Sequence, residues 1–246
     1  MTATVLPPRK IAGYGFRRDA IDPRDHKFTA PGTPLPAAVD NRGKYPPCYD
    51  QFDLGSCTAN AGVGAMAALH PGFYGSRLWL YFQARALEGS IHSDAGAELR
   101  DIVKVLAKLG CAPETDWPYV QSKFAIRPPA KATADAKKEL ITQYQSVDNA
   151  DLRAAIATGF PVIGGITVYA GLESDAAAHT GHVPMPNKRE RPIGGHALVF
   201  VGYQADGTII FRNSWSPQWG TDGYGFLPAA YMADPELASD MWLIRA

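Results

Sequence analysis

The stretch from Cys57 to His70 narrows the choice of folds more than any other part of the chain. It reads Cys-Thr-Ala-Asn-Ala-Gly-Val-Gly-Ala-Met-Ala-Ala-Leu-His. Side chains this small suit a helix that neighbours approach closely on every side. Gly62 and Gly64 each weaken such a helix by roughly 1 kcal/mol, so tertiary packing has to hold it. The segment is therefore expected to be a central helix, stopped by Pro71 and Gly72. A second helix is expected over Ser76 to Leu87. A third is expected from about Ala97 to Leu109, where Leu99, Ile102, Val103, Leu106 and Leu109 recur at helical spacing and Gly110 supplies the stop.

Beyond the turn-rich crossing from Pro113 to Pro129 the texture changes. A short helix is expected near Asp135 to Leu140. Asp148, Asn149 and Asp151 offer caps for Leu152 to Ala157. Strands are expected over Pro161 to Tyr169, from His196 to Tyr203, and over Gly207 to Arg212. Helices first and strands second predict an α+β fold. Ala170 to Pro192 reads as one long loop, functional or mobile. Over residues 1–36, six prolines (Pro7, Pro8, Pro23, Pro31, Pro34 and Pro36) interrupt any helix or central strand. Residues 1–34 are therefore an extended arm, and residues 35–246 the main domain, helical over about 50–120 and β-rich over about 140–235.

Lys plus Arg number 24 and Asp plus Glu number 24. Without a basic excess, nothing predicts a nucleic-acid partner. No run of about 18 apolar residues exists, so no membrane span or membrane partner is expected. Met1 to Lys10 lacks the charged start and apolar stretch of a secretory signal, and the location is expected to be cytoplasmic, with a lost signal left open. The three cysteines, Cys48, Cys57 and Cys111, are too few for a disulfide scaffold. Either all three are thiols, or Cys48 and Cys111 pair and leave Cys57 free.

Three segments carry chemistry when taken together. In Gln51-Phe-Asp-Leu-Gly-Ser-Cys57 a Gly-Ser turn feeds a cysteine into the first position of a helix. Free N–H groups there favour the nucleophilic thiolate. Ile193-Gly-Gly-His196 places a histidine just before an apolar strand, and Phe211-Arg-Asn213-Ser-Trp215 places an asparagine between a strand and an aromatic turn. Alone, each is an ordinary core or surface residue. Their order is Cys, His, Asn, with 139 residues (196 − 57) and then 17 residues (213 − 196) between them. Taken together, the three segments are much more specific than any one of them.

On these motifs the chain resembles the papain-like cysteine peptidases, in particular bacterial members carrying Leu54-Gly-Ser-Cys-Thr-Ala-Asn-Ala61. The likeness runs from about Leu35 to the C-terminus. Leu35-Pro-Ala-Ala-Val-Asp-Asn-Arg42 looks like the start of a mature chain, and Trp117-Pro-Tyr119 like the tract after the left-domain helices. The resemblance implies a helical left domain, a β-barrel-like right domain and an active-site cleft between them. It implies peptide-bond hydrolysis by Cys57, with His196 as acid/base, Asn213 as orienter and Gln51 as oxyanion donor. Trp215 resembles the tryptophan that shields the His–Asn bond. Asp94-Ala-Gly96 resembles the glycine-bearing loop that binds substrate main chain, and Val162 and Ala197 are expected to line an apolar pocket. Thr58, Asn41 and Ser216 depart from the family's tryptophan, tryptophan and glycine, and Leu54 from a disulfide cysteine.

The partner implied is a peptide or protein substrate, cut by a monomer with no cofactor and no metal. His179-Thr-Gly-His182 falls far short of a metal ligand set. The arm has two readings: a prosegment across the cleft, which would make the chain a zymogen, or a packed arm without regulatory role. A non-catalytic binding protein of this fold, or a thiol acyltransferase or isopeptidase, are the alternative functions.

Overall fold

The computed structural model describes residues 14–246; Pro7, Pro8 and the N-terminal ten residues lie outside them. The strands are β1 (Phe16–Arg17), β2 (Val39–Asp40), β3 (Ala97–Glu98), β4 (Gln143–Val147), β5 (Val162–Val168), β6 (Gly194–Tyr203), β7 (Ile209–Arg212), β8 (Tyr224–Leu227) and β9 (Ala238–Arg245). The helices are α1 (Cys57–Leu69), α2 (Arg77–Leu87), α3 (Leu99–Lys108), α4 (Ala130–Ala136), α5 (Leu152–Ala157), α6 (Asp175–Thr180) and α7 (Ala229–Ala233).

The fold is α+β, as the order of the sequence patterns predicts. Helix α1 is buried almost throughout, from Cys57 to Ala67. A Cβ on Gly62 would strike Ile102 of α3 and Leu80 of α2, and one on Gly64 would press on Val199 of β6. The two glycines thus allow α2, α3 and the sheet to close on one small helix. Ser76 caps α2 by accepting the Trp79 N–H.

The main sheet has the order β4-β9-β5-β6-β7-β8, with β2 added along β6, and its neighbouring strands run antiparallel. The expected barrel does not close: β4 and β8 are the two ends of the path and do not pair. Alternation along β6 sends Ala197, Val199 and Val201 into the core shared with the helices, and Leu198 and Phe200 into a second core on the other face.

Three local expectations shift. The helix expected near Asp135 to Leu140 lies over Ala130–Ala136. Pro129 fixes its start, and the carbonyls of Ala136 and Glu139 are taken by the Cys111 N–H instead of a further helical turn. The caps offered before α5 make no side-chain capping bond, because residues 149–151 form a short 3-10 turn there. The long loop contains α6, whose Ser174 accepts the Ala177 N–H. Among the described residues no helix is long and apolar enough to cross a membrane.

Candidate active site

Cys57 is the first residue of α1 and has no exposed surface. The turn before it is braced from several sides. The Gly55 N–H donates to both oxygens of Asp94, at 2.9 and 3.1 Å. The Tyr81 hydroxyl donates to Asp94 at 2.5 Å and accepts from the Gly96 N–H at 3.1 Å. Asp94 and Tyr81 therefore tie the glycine loop to the cysteine turn. The Ser56 hydroxyl meets that of Tyr119 at 2.6 Å.

Burial pushes the Cys57 thiol up to about 11, against the pull of the backbone N–H groups of Ala197, Gly15, Thr58 and Cys57 itself. The helix terminus does aim donors at the sulfur, as its position in the sequence predicts. Yet with the sulfur fully covered, desolvation outweighs them and the neutral thiol is favoured at pH 7. The thiolate expected at rest is therefore not favoured while the arm lies over the sulfur.

His196 lies in β6 opposite Ile166 of β5 and is fully buried. Its Nε2 meets Asn213 Oδ1 at 2.8 Å, and the same oxygen accepts the Ser214 N–H at 2.8 Å. An oxygen that accepts from Ser214 is also the acceptor for the ring, so Nε2 carries the proton in the neutral imidazole. Nδ1 is then the basic nitrogen of the ring. The indole of Trp215 covers the imidazole at 4.9 Å between ring centres, with Trp219 edge-on behind it at 5.6 Å.

Gln51 is held by both ends of its amide. Its oxygen accepts from the Ser214 hydroxyl at 2.6 Å, and its nitrogen donates to the Leu54 carbonyl at 2.9 Å. The amide has a second N–H to offer. Its backbone N–H donates to the Ser214 carbonyl at 2.9 Å, which stitches the Gln51 turn to the asparagine segment. Ser216, where the resemblance leads to the expectation of glycine, has a positive φ of 71°, a conformation that favours glycine.

Over this site lies the chain's own arm. Phe16–Arg17 pairs in parallel with Ala97–Glu98, and the Ala97 N–H donates to the Gly15 carbonyl at 2.8 Å. Gly15 passes so close that a Cβ on it would meet the Gly55 carbonyl at 1.7 Å, and one on Gly96 would meet the Gly15 carbonyl at 2.1 Å. Tyr14 sits edge-on to His196 with ring centres 6.1 Å apart. Phe16 is buried, and its ring fills the space that Cβ atoms on Gly165 and Gly195 would need.

The structure thus brings together Cys57, His196, Asn213, Gln51, Trp215, Gly96 and Ala197. It does not bring Val162 to them. Val162 is in register with Phe200 and belongs to the core on the opposite face of the sheet, while Gly165 borders the pocket that Phe16 occupies. The miss is one of strand phase: β5 alternates without a break along β6, so Val162 shares a face with Gly164 and Ile166, while Ile163 and Gly165 face the other way. Ser214, Glu173 and the Tyr14 to Phe16 segment were not singled out from sequence, and Tyr119 was named only within the Trp117-Pro-Tyr119 tract, with no role at the site. The sequence signals of the arm's close approach are two glycine pairs in strands, Gly194-Gly195 against Tyr14 and Phe16, and Gly164-Gly165, whose second member meets Phe16. All three cysteines are free. Among the described residues no group of three or more metal-binding side chains exists; His182 stacks on Phe226 instead.

A model of papain family cysteine proteases matches residues 35–231. The chain is 38% identical over 213 residues to an uncharacterised peptidase C1-like protein of Acanthamoeba polyphaga mimivirus, covering 80% of this chain and 68% of that protein. Its fold is similar to the crystal structure of xylellain, a cysteine protease from Xylella fastidiosa, with a TM-score of 0.90, 35% identity and 99% of each chain covered. It is also similar to a ragweed pollen cysteine protease solved in its proform, with a TM-score of 0.67, 26% identity, and 87% of this chain and 66% of that one covered.

Proposed function

We propose how this chain, which belongs to the papain family of cysteine proteases and is a thiol peptidase, divides its chemistry: Cys57 is the nucleophile, His196 the acid/base and Asn213 the orienter. The substrate is a peptide or protein. The observation that carries the assignment is the Asn213 oxygen held between His196 Nε2 and the Ser214 N–H, which leaves Nδ1 as the proton carrier.

His196 Nδ1 takes the Cys57 proton once the cleft is open to substrate. The sulfur attacks the scissile carbonyl, forming the S–C bond. The oxyanion accepts from the Gln51 side-chain amide and the Cys57 backbone N–H, each such donor being worth about 3–4 kcal/mol in the transition state. As the C–N bond breaks, the proton passes from Nδ1 to the leaving amine. Water then gives a proton to Nδ1 and its hydroxide to the acyl carbon, and the thiol is released. Gly96 and Ala197 supply backbone to the substrate, and Trp215 keeps water from the His–Asn bond.

The arm is a prosegment in this reading, because Gly15 lies on the sulfur and Phe16 fills the adjoining pocket. The test is labelling by a thiol-reactive peptide, before and after the full chain is folded and then nicked at a protease site grafted at exposed Ile21. Labelling of Cys57 should rise at least tenfold on nicking and vanish in Cys57→Ala. Equal labelling of native and Cys57→Ala protein would move the nucleophile elsewhere, and equal labelling before and after nicking would remove the inhibitory role.

A further inference from the structure

We infer that Glu173 forms a carboxylate subsite on the leaving-group side of the cut, selecting substrates with a long hydrogen-bond donor (lysine, arginine or tyrosine) just after the scissile bond. The inference rests on the peptidase reading above and adds the substrate class to it. It starts from the arm, which straddles the sulfur. Gly15 lies at Cys57, Phe16 lies on the side of the glycine loop, and Tyr14 lies against the imidazole. The leaving amine receives its proton from His196, so the departing half of a substrate must pass that ring. Among the described residues, Tyr14 is the arm side chain that lies against this ring.

The Tyr14 ring rests where a Cβ on Gly194 would stand, and its hydroxyl donates to Glu173 at 2.5 Å. Burial and the neighbouring Glu173 carboxylate both raise the phenol's pKa, so the hydroxyl remains the donor. Glu173 does not hang on a loose loop. It closes the 3-10 turn Ala170–Glu173, in which Leu172 is buried, and the next residue, Ser174, caps α6 and hydrogen-bonds back to the Gly171 carbonyl. A half-buried carboxylate on a braced turn, beside a glycine shelf and next to the general acid, is a formed pocket for a donor. When the arm leaves, Glu173 loses the Tyr14 hydroxyl and a substrate donor replaces it. A cation gains more there than a phenol, since the acceptor is charged.

The test uses the full chain, folded and then nicked at the Ile21 site, with internally quenched peptides differing only at the first or second residue after the cut. At one of these positions Lys and Arg should exceed Leu by about tenfold or more in kcat/KM, and Tyr should exceed Phe by about threefold or more. Glu173→Gln keeps an acceptor oxygen without the charge, so the Lys advantage should collapse while the Tyr advantage remains. Glu173→Leu should abolish both and leave cleavage of the Leu peptide within about twofold. Identical preferences in the native protein and Glu173→Leu would overturn the subsite while leaving the peptidase reading intact. If no peptide is cut, or if Cys57→Ala cuts them equally, the peptidase assignment itself falls and the subsite falls with it.

Discussion

The hydroxyl of Tyr119 stands between the two groups assigned to the oxyanion. It donates to the Gln51 carbonyl at 2.8 Å and meets the Ser56 hydroxyl at 2.6 Å, so one oxygen spans both ends of the turn that sets Gln51 and the Cys57 N–H. The ring is fixed independently, since the Arg77 guanidinium lies 4.1 Å above it and Glu114 accepts the Tyr119 N–H at 2.8 Å. Tyr119→Phe keeps the ring and frees both partners. One or two hydrogen bonds of about 1 kcal/mol each are at stake. Steady-state kinetics on the nicked protein should therefore show kcat lower by about tenfold with KM within about twofold, because the loss falls on transition-state geometry. A change in KM alone would place the hydroxyl in substrate binding instead. The meeting of Cys57, His196, Asn213 and Gln51 could be expected from the sequence because each sits in a local motif and their order is itself a signal. The contacts of Tyr119, Ser214 and Glu173 could not, because their partners lie 63, 163 and 159 positions away, and no local pattern encodes a contact of that range.

At the scale of elements, the arm is fastened at a second point besides the cleft. The Asp19 carboxylate accepts from Trp242 Nε1 at 2.9 Å and from the Arg100 N–H at 3.1 Å, and the Asp19 N–H donates to Asp240 at 3.2 Å. Burial, with the Asp240 charge beside it, pushes the Asp19 carboxyl up to about 7 in spite of those donors and of Arg100. In a released arm the same group titrates near 4. Docking therefore takes up a proton between about pH 4 and pH 7. The Asp19 contribution is fully present below about 4 and is lost as pH rises through 7. Retention of a fluorescent arm on the nicked protein should weaken between pH 5 and pH 7 by up to about tenfold per pH unit, and Asp19→Asn should flatten that slope. Retention that strengthens over this range in the native protein, or a slope unchanged in Asp19→Asn, would refute the assignment. Elements themselves were readable where periodicity and stops agree, as in α1, α2 and α3. They shifted where backbone groups had distant calls on them, as at α4, whose last carbonyls serve Cys111. Strand phase in β5 was hidden because both of its faces are buried and no polar alternation marks them, and that is why Val162 was expected where Gly165 lies.

Over the whole molecule the sheet has a core on both faces, and the same strands feed each. Ile163, Ala197, Val199 and Trp242 join the helices, while Val162, Leu198, Phe200 and Leu243 join the second core. Arg212 adds a polar tie: from the end of β7 it donates to the carbonyls of Pro46 and Pro47, at 2.7 and 2.9 Å, just ahead of the Gln51 turn. The helical and β-rich parts cannot lose structure separately without exposing one face of β5, β6 and β9. Unfolding should accordingly be one cooperative event despite the two-part look of the sequence. Leu106→Ala in the helical core and Leu198→Ala in the second core should each cost about 2–5 kcal/mol. Both should move a single denaturant midpoint, followed by tryptophan fluorescence and by far-ultraviolet circular dichroism. Two separated transitions, with each substitution moving only one of them, would mean that the helices and the sheet are independent units and that the cleft between them is held by the Gln51 and Asn213 segments alone.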